Sequence, residues 1–369
     1  MFGLLPLSMH KTKPIVVKRY PASNNRSLRA WSAADEYLIK ALNELQAVPK
    51  KSILYNDSFG YLAIHADVET TDIVCETASQ KGAIEKNLDS NKRTTTGQTF
   101  LSPFDKPRLK PDVGLLKIPK SLDLFEVYLQ HFSQHCSVKG ELICGFMTRH
   151  FSKQLLELAS VYFEDVQQSL AWKKSRLLIL KKVKKQPEKD LIHSFLYENE
   201  TITQHFGVFS AKMIDTATQF LAKNMSTPLG EVKVMDLACG NGILGKLMLD
   251  ANADLEVHLV DDSFLAIESA KMNVKGKKVH FHQQYTLSAF EPNSFDYIAC
   301  NPPFHVDHEI DISLPIRLFK EAHACLKVDG VMEIVANQHL NYKTHLIKMF
   351  SSVDIVKEDD KYVVYRCVK

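Results

Sequence analysis

From Val232 onward, apolar runs and helical patterns alternate. "VKVMDLA" is an apolar run interrupted near its end by an acid, and "GILGKLMLDA" places its apolar residues at helical spacing. "LEVHLVD" reads as a second strand, and "SFLAIESAKMNV" as an amphipathic helix with Ser263 as N-cap. "KVHFHQQ" and "FDYIACN" follow as strands. "PIRLFKEAHACLK" is a helix stopped by "VDG", "VMEIVAN" a strand and "YKTHLIKMF" a helix. "SVDIVKEDDKYVVYRCV" closes the chain as a hairpin. Continuous apolar strands separated by helices predict an α/β fold with a mainly parallel sheet covered on both faces, and the hairpin adds an antiparallel edge. Ligands of such sheets sit beyond the carboxyl ends of the strands.

The first half repeats this pattern in worn form. "KSILYNDSFGYLAIHA" parallels "VKVMDLACGNGILGKLML", with an apolar strand, an Asp, a turn and another apolar run. "FDKPRLKPDVGLLKIPKSLDLFEVYLQHF" stands where "NSFDYIACNPPFH" and its helix stand, and "GELICGFMT" parallels "GVMEIVANQ". The first copy has one glycine in its turn, Gly60, and no Asn-Pro-Pro. The pattern predicts a duplication, with domains over residues 1–185 and 186–369 and a mostly charged joining segment over 181–203. Residues 70–106 are polar and uneven, so the middle strands of the first copy are undefined.

Composition alters this picture little. Hydrophobic residues make up 45% and charged residues 24%, as in a soluble globular protein with a full core. No run approaches a membrane span, and "MFGLLPLSM" lacks the basic region of a signal peptide. Seven scattered cysteines in apolar contexts suit a reducing cytoplasm. The net charge of +3 says little, but Trp172–Lys189 carries eight Lys/Arg against one Glu. That run is either a solvated linker or strand edge, or a surface for phosphates.

The candidate chemistry lies at three strand ends. "DLACGNG" holds Asp236, with the small residues Ala238, Gly240 and Gly242 letting a ligand approach the backbone. Asp261 ends the next strand, about 20 residues on, where an acid meets ribose hydroxyls in nucleoside-binding folds; Asp262 is the alternative. The fourth strand runs into "NPPFH". An amino group conjugated to a base ring is a poor nucleophile, and two acceptors on its N–H groups favour the pyramidal form that attacks. The Asn301 side-chain oxygen and the Pro302 carbonyl offer these acceptors, and the prolines hold them in place. Phe304 adds a stacking face. "ANQHLNY" puts His339 and Tyr342 on the same rim, for RNA contact or for packing. His305, His308 and Cys300 offer too few ligands for zinc, and His280 and His282 are alternate residues of one strand, so no metal site is expected.

Taken together, "NPPFH", "RAWSAADEYLI", "LAWKKSRL", "GVFS" and "VANQHLNY" resemble the bacterial two-domain rRNA guanine-N2 methyltransferases, nearer to the large-subunit (23S) enzymes than to the small-subunit ones. The resemblance implies two tandem Rossmann-like methyltransferase domains, the N-terminal one degenerate and RNA-binding or structural, the C-terminal one a mostly parallel seven-stranded sheet. It implies S-adenosylmethionine as cofactor and 23S rRNA, free or partly assembled, as partner of a cytoplasmic monomer. On that likeness Asn301, Pro302 and Phe304 hold the guanine, and Asp236, Ala238, Gly240, Gly242 and Asp261 hold the cofactor. "FGVFS", with Phe209, covers the cofactor or is an ordinary loop. An adenine-contacting Asn of the family is missing near Tyr285, and Gln284 or the backbone stands in. Rival readings are a 16S rRNA target, methylation of a protein glutamine or a DNA adenine, and a non-catalytic ribosome-assembly factor.

Overall fold

The structure, a computed structural model, describes residues 15–21, 28–47, 49–93, 97–303, 305–306, 309–310 and 312–369. The first half runs α1 (Ala33–Asn43), β1 (Lys51–Tyr55), α2 (Tyr61–His65), β2 (Thr70–Val74), α3 (Ala78–Ser90), β3 (Gln98–Leu101), β4 (Val113–Lys117), α4 (Leu122–His135), β5 (Glu141–Met147), α5 (Lys153–Tyr162), β6 (Phe163–Gln168) and β7 (Ser175–Val183). A hairpin of β8 (Ile192–Tyr197) and β9 (Glu200–His205) follows. The second half runs α6 (Thr216–Asn224), β10 (Lys233–Leu237), α7 (Ile243–Ala251), β11 (Glu256–Asp261), α8 (Phe264–Asn273), β12 (Val279–Gln283) and β13 (Phe295–Cys300). After a short ladder of β14 (His305–Val306) with β15 (Glu309–Ile310) come α9 (Ser313–Cys325), β16 (Leu326–Asn337), α10 (Lys343–Leu346), β17 (Ser352–Glu358) and β18 (Tyr362–Val368).

The two seven-stranded sheets have the same topology. Their orders are β3-β2-β1-β4-β5-β7-β6 and β12-β11-β10-β13-β16-β18-β17. In each, five strands are parallel and the last two form an antiparallel hairpin whose final strand inserts next to the fifth. Each sheet is covered on both faces by apolar clusters, so its central strands are buried almost throughout. No helix among the described residues is long and apolar enough to cross a membrane.

The duplication extends to backbone detail. The first turn of each sheet uses the same left-handed positions: Asn56 (φ 56°) and Gly60 (φ 86°) in one, Ala238 (φ 59°) and Gly242 (φ 83°) in the other. Sheet register then identifies what the first copy has exchanged. Leu116 and Cys300 occupy equivalent places beside Tyr55 and Leu237, so Lys117 stands where the other sheet has Asn301. Val74 and Val260 correspond in the same way, so Cys75 stands in place of Asp261. Ser58 replaces Gly240. Lys117 is spent on an ion pair with buried Asp35 at 2.8 Å. An ammonium only donates, so it cannot hold an amine by its hydrogens.

Two expectations change. Residues 70–106 contain β2, α3 and β3. Their pattern is obscured because buried polar groups are satisfied by partners distant in sequence: Asp72 by Arg108 at 3.0 Å and Thr71 by Ser52 at 2.8 Å. The lysine-rich stretch is a linker only in its second part, since residues 184–190 run largely exposed and without secondary structure to β8. Ser175–Val183 is a strand between β5 and β6, and Lys173, Lys181 and Lys189 are paired with Glu36, Glu141 and Glu126.

The halves meet about an approximate two-fold relation between β2–α3 and β11–α8. Ala78 N donates to Asp262 O at 3.0 Å, and Phe264 N donates to Glu76 O at 2.7 Å. The Asp262 carboxylate accepts from Ser79 N (2.7 Å) and Ser79 Oγ (2.5 Å), and Ser263 Oγ donates to Glu76. Burial pushes the Glu76 carboxyl up to about 7.

In the second sheet buried Glu333 gathers the Tyr297 hydroxyl (2.6 Å), Ser226 N (2.8 Å) and Arg366 Nε (2.8 Å). Replacing it by Ala leaves the buried Tyr297 hydroxyl without its acceptor. Glu333→Ala is expected to cost about 3 kcal/mol, a figure lowered because Arg366 is partly solvated. A thermal midpoint unchanged from that of the unmodified protein would contradict this.

Candidate active site

A cavity of about 650 Å³ opens at the carboxyl ends of β10, β11 and β13 and is walled on the other side by the first domain, including Tyr20, Phe59 and Gln80. Its floor is the turn after β10. Gly240 has φ 53°, and a Cβ there would meet nothing within 4 Å, so the backbone is open to a ligand at that point. Gly242 is different. A Cβ there would lie 2.9 Å from Leu259 and Val274, so its lack of a side chain serves the packing of α7 on the sheet. Ala238 lines the cavity in a left-handed conformation.

Asp236 is fully buried under this turn. Its Oδ2 accepts from Gly245 N at 2.8 Å, and its Oδ1 has no partner. Burial raises its pKa to about 8, against the lowering effect of the Gly245 N–H. Asp261 ends β11 in the cavity wall. Its carboxylate accepts from Gly240 N and Ser263 N, both at 2.9 Å, and burial raises its pKa to about 6. Each of its oxygens has a second lone pair for a ligand hydroxyl. Asp262, the alternative acid, is taken up by Ser79. Gln284 N donates to Asp261 O at 2.8 Å, and the Gln284 side-chain nitrogen is buried in the cavity wall without an acceptor.

Phe209 lines the cavity and is 68% exposed. Its loop is held from beneath by Gln204, a residue with no visible signal in the sequence. Gln204 Nε2 donates to the carbonyls of Val208, Phe209 and Ser210 at 3.3–3.4 Å, and its oxygen accepts from Asn241 Nδ2 at 2.8 Å. A buried amide pair thus links the glycine turn to the covering loop.

β13 delivers Asn301 and Pro302 to the same cavity. Asn301 Nδ2 donates to Asp215 Oδ2 at 3.1 Å and Thr218 Oγ1 at 2.8 Å. Asp215 is also the N-cap of α6, accepting from Ala217 N and Thr218 N. A carboxylate only accepts, so the amide must present its nitrogen to Asp215. Asn301 Oδ1 makes no hydrogen bond to the described residues, and the residue lines the cavity. Asp215 and Thr218 lie more than 80 positions away in sequence and were not anticipated. Phe304 and His308 lie outside the described residues, and of His305 only the backbone is described. Cys300 is buried, and burial pushes its thiol far up. Tyr342 is fully buried against Phe319, so it packs in the core and does not face RNA; His339 is exposed.

A family model described as the RLMG N-terminal domain matches residues 7–188, and one described as the methyltransferase small domain matches residues 199–366. The chain is 32% identical over 371 residues to the ribosomal RNA large subunit methyltransferase G of Psychromonas ingrahamii, covering 96% of this chain and 97% of that one. The fold matches that of the T. thermophilus 16S rRNA N2 G1207 methyltransferase (RsmC), solved with AdoMet and guanosine. That match has TM-score 0.76 and 18% identity over 96% of this chain and 98% of the other. Two domains of one topology, one with an open site and one with its acceptors replaced, are thus matched end to end by such an enzyme, and the chain belongs to the bacterial family of two-domain rRNA guanine-N2 methyltransferases.

Proposed function

We propose that this chain transfers a methyl group from S-adenosylmethionine to the exocyclic N2 of one guanine in 23S rRNA, acting as a monomer on an unstacked base. The observation that carries this reading is the locked Asn301 amide, whose free oxygen stands at a strand end beside a turn open to a nucleoside. The residues fit the cofactor: Asp236 Oδ1 and the Gln284 side-chain nitrogen are buried without partners, and Gly240 leaves room against the backbone. Asp261 would accept from the ribose hydroxyls, Gln284 would donate to the adenine, and Asp236, buried beneath the turn, would buttress the loop through Gly245 N. Ala238 and Gly240 would let the ligand lie on the turn, and Phe209 would cover it. When bound, the cofactor supplies the methyl as an electrophilic sulfonium substituent.

The chain's own work is placement. Asn301 Oδ1 and the Pro302 carbonyl would accept from the two N–H groups of the guanine amine, drawing its lone pair out of conjugation and aiming it. Such alignment can contribute about 7–11 kcal/mol. No strong base is needed before attack, because the amine proton becomes acidic only as the new bond forms. Phe304 would stack on the base. The first domain, whose own site carries Lys117 in place of the Asn, would grip RNA outside the reaction.

Three tests follow. Radiolabelled methyl transfer onto RNA from cells lacking the protein should label 23S rRNA at one guanine; label in 16S rRNA, in protein or nowhere would refute the reading. Asn301→Ala should lower kcat at least about a hundredfold, as loss of a preorganised polar group does, with cofactor affinity unchanged by calorimetry. Thr218→Val, which only loosens the amide, should lower kcat about tenfold by loss of one hydrogen bond.

Cofactor affinity should also depend on pH through Asp261. Its pKa of about 6 means that the carboxylate accepts fully above that value and is protonated below it. Affinity should fall, by at most about tenfold per pH unit, as pH drops from about 7 to about 5, and Asp261→Asn should bind weakly with no such slope. The same raised pKa means that the folded state holds this proton more tightly. Asp261 therefore lowers folding stability as pH rises from about 4, its ordinary value, to about 6.

A further inference from the structure

The far end of β11 carries a cluster that the methyl-transfer reading does not use. Glu256 and His258 are alternate residues of β11, and His280 and His282 are alternate residues of the edge strand β12. The parallel register sets His258 beside His280 and Val260 beside His282, which brings all four side chains to one face. Asp261 is five residues beyond Glu256 and three beyond His258, about 16 and 10 Å at the strand rise, and none of the four residues lines the cavity. The cluster is thus separate from the cavity.

We propose that Glu256, His258 and His280 form a binding site for a divalent transition metal ion of the zinc class. Glu256 Oε1 lies 2.9 Å from His258 Nε2 and 3.8 Å from His280 Nε2. One ligand atom from each of the three residues falls within 4.8 Å of the others. In a tetrahedral zinc site with bonds of about 2.0–2.1 Å, neighbouring ligand atoms are about 3.3–3.4 Å apart. The two pairs made by Glu256 bracket that value, and the two histidine nitrogens, within 4.8 Å of each other, would close on the ion by side-chain rotation of up to about 1.5 Å.

The surroundings are those of a held ligand. His258 is buried, and the Phe290 and Phe295 rings pack edge-on against it at 5.9 and 5.1 Å between centroids. Its second nitrogen, Nδ1, is 2.9 Å from His282 Nε2. Metal-bound histidines are oriented by such a bond on the ring nitrogen away from the metal. Without metal, the carboxylate requires a proton on His258 Nε2, so His258 Nδ1 accepts from His282 Nε2–H. With metal, His258 shifts its proton to Nδ1 and donates to His282 Nε2, and His282 carries its own proton on Nδ1. Each ring keeps one proton throughout. The metal takes the place of the hydrogen that joins Glu256 to His258, and no charged imidazole is required. Two imidazoles and a carboxylate favour zinc over magnesium or calcium.

Glu256 and His280 are partly solvated, which leaves a fourth position for water and a route for exchange. The Lys233 ammonium, 3.4 Å from Glu256 Oε1 and 5.0 Å from the centre of the Phe295 ring, must give up that oxygen when the ion enters. The ion would tie the exposed edge strand to β11 at the end opposite Asp261 and Gln284.

The test uses untagged full-length protein stripped with a chelator and titrated with zinc chloride. One equivalent should be taken up saturably, with a thermal midpoint several degrees higher at a hundredfold excess over Kd. Cobalt(II) should give the visible bands of a four-coordinate nitrogen–oxygen site. His280→Gln, a change at a half-exposed position that leaves the core intact, should abolish the uptake, the midpoint shift and the cobalt bands. Glu256→Gln should do the same. No saturable uptake by the unmodified protein, or uptake unchanged in both variants, would overturn the proposal.

Discussion

The site depends on one polar contact made across the sequence. A carboxamide has a donating end and an accepting end of nearly the same shape, and β13 alone does not decide which of them enters the cavity. Asp215 and Thr218 decide it by accepting from the Asn301 nitrogen. Asp215 in turn is held by capping α6, so helix start and amide orientation are one feature. The orientation of the amide is thus fixed by the chain's own groups rather than by a ligand.

The first domain shows the same framework with the opposite polarity. Lys117 extends from the strand end that corresponds to β13 and meets Asp35 near the start of α1, much as Asn301 meets Asp215 near the start of α6. An ammonium in that position completes a buried ion pair and leaves nothing to accept an amine. The domain keeps the same seven-stranded sheet. Its contribution is instead at the interface, where Ser79 takes up the Asp262 carboxylate while Asp261 is held within its own domain by Gly240 N and Ser263 N. First-domain residues also complete the wall of the pocket.

The strand and helix pattern of the second half is legible because each apolar run has one period and a clear stop. The parallel sheet, the open turn at Gly240 and the strand ends at Asp261 and Asn301 all follow from residues within about ten positions of one another. Where pattern failed, buried polar groups were the cause. Asp72 and Thr71 sit inside β2 because Arg108 and Ser52 satisfy them, and no local window reveals those partners. The lysines after Trp172 suggest solvent or phosphate, yet several are committed to glutamates brought near by the first sheet. Tyr342 looks like a rim residue but is swallowed by the packing of α9.

Periodicity and turn chemistry, which act over a few residues, therefore determine the layers, the duplication and the place of the site. Only the tertiary structure decides which atom of each residue is available. Gly242 and Gly240 are alike in the chain, and packing against Leu259 and Val274 separates a structural glycine from an open one. Asp261 and Asp262 are adjacent, and a serine from the other domain takes up only the second. His258 and His280 are 22 positions apart and become neighbours through strand register alone. Hydrogen-bond polarity and register are properties of pairs distant in sequence, and a one-dimensional pattern does not contain them.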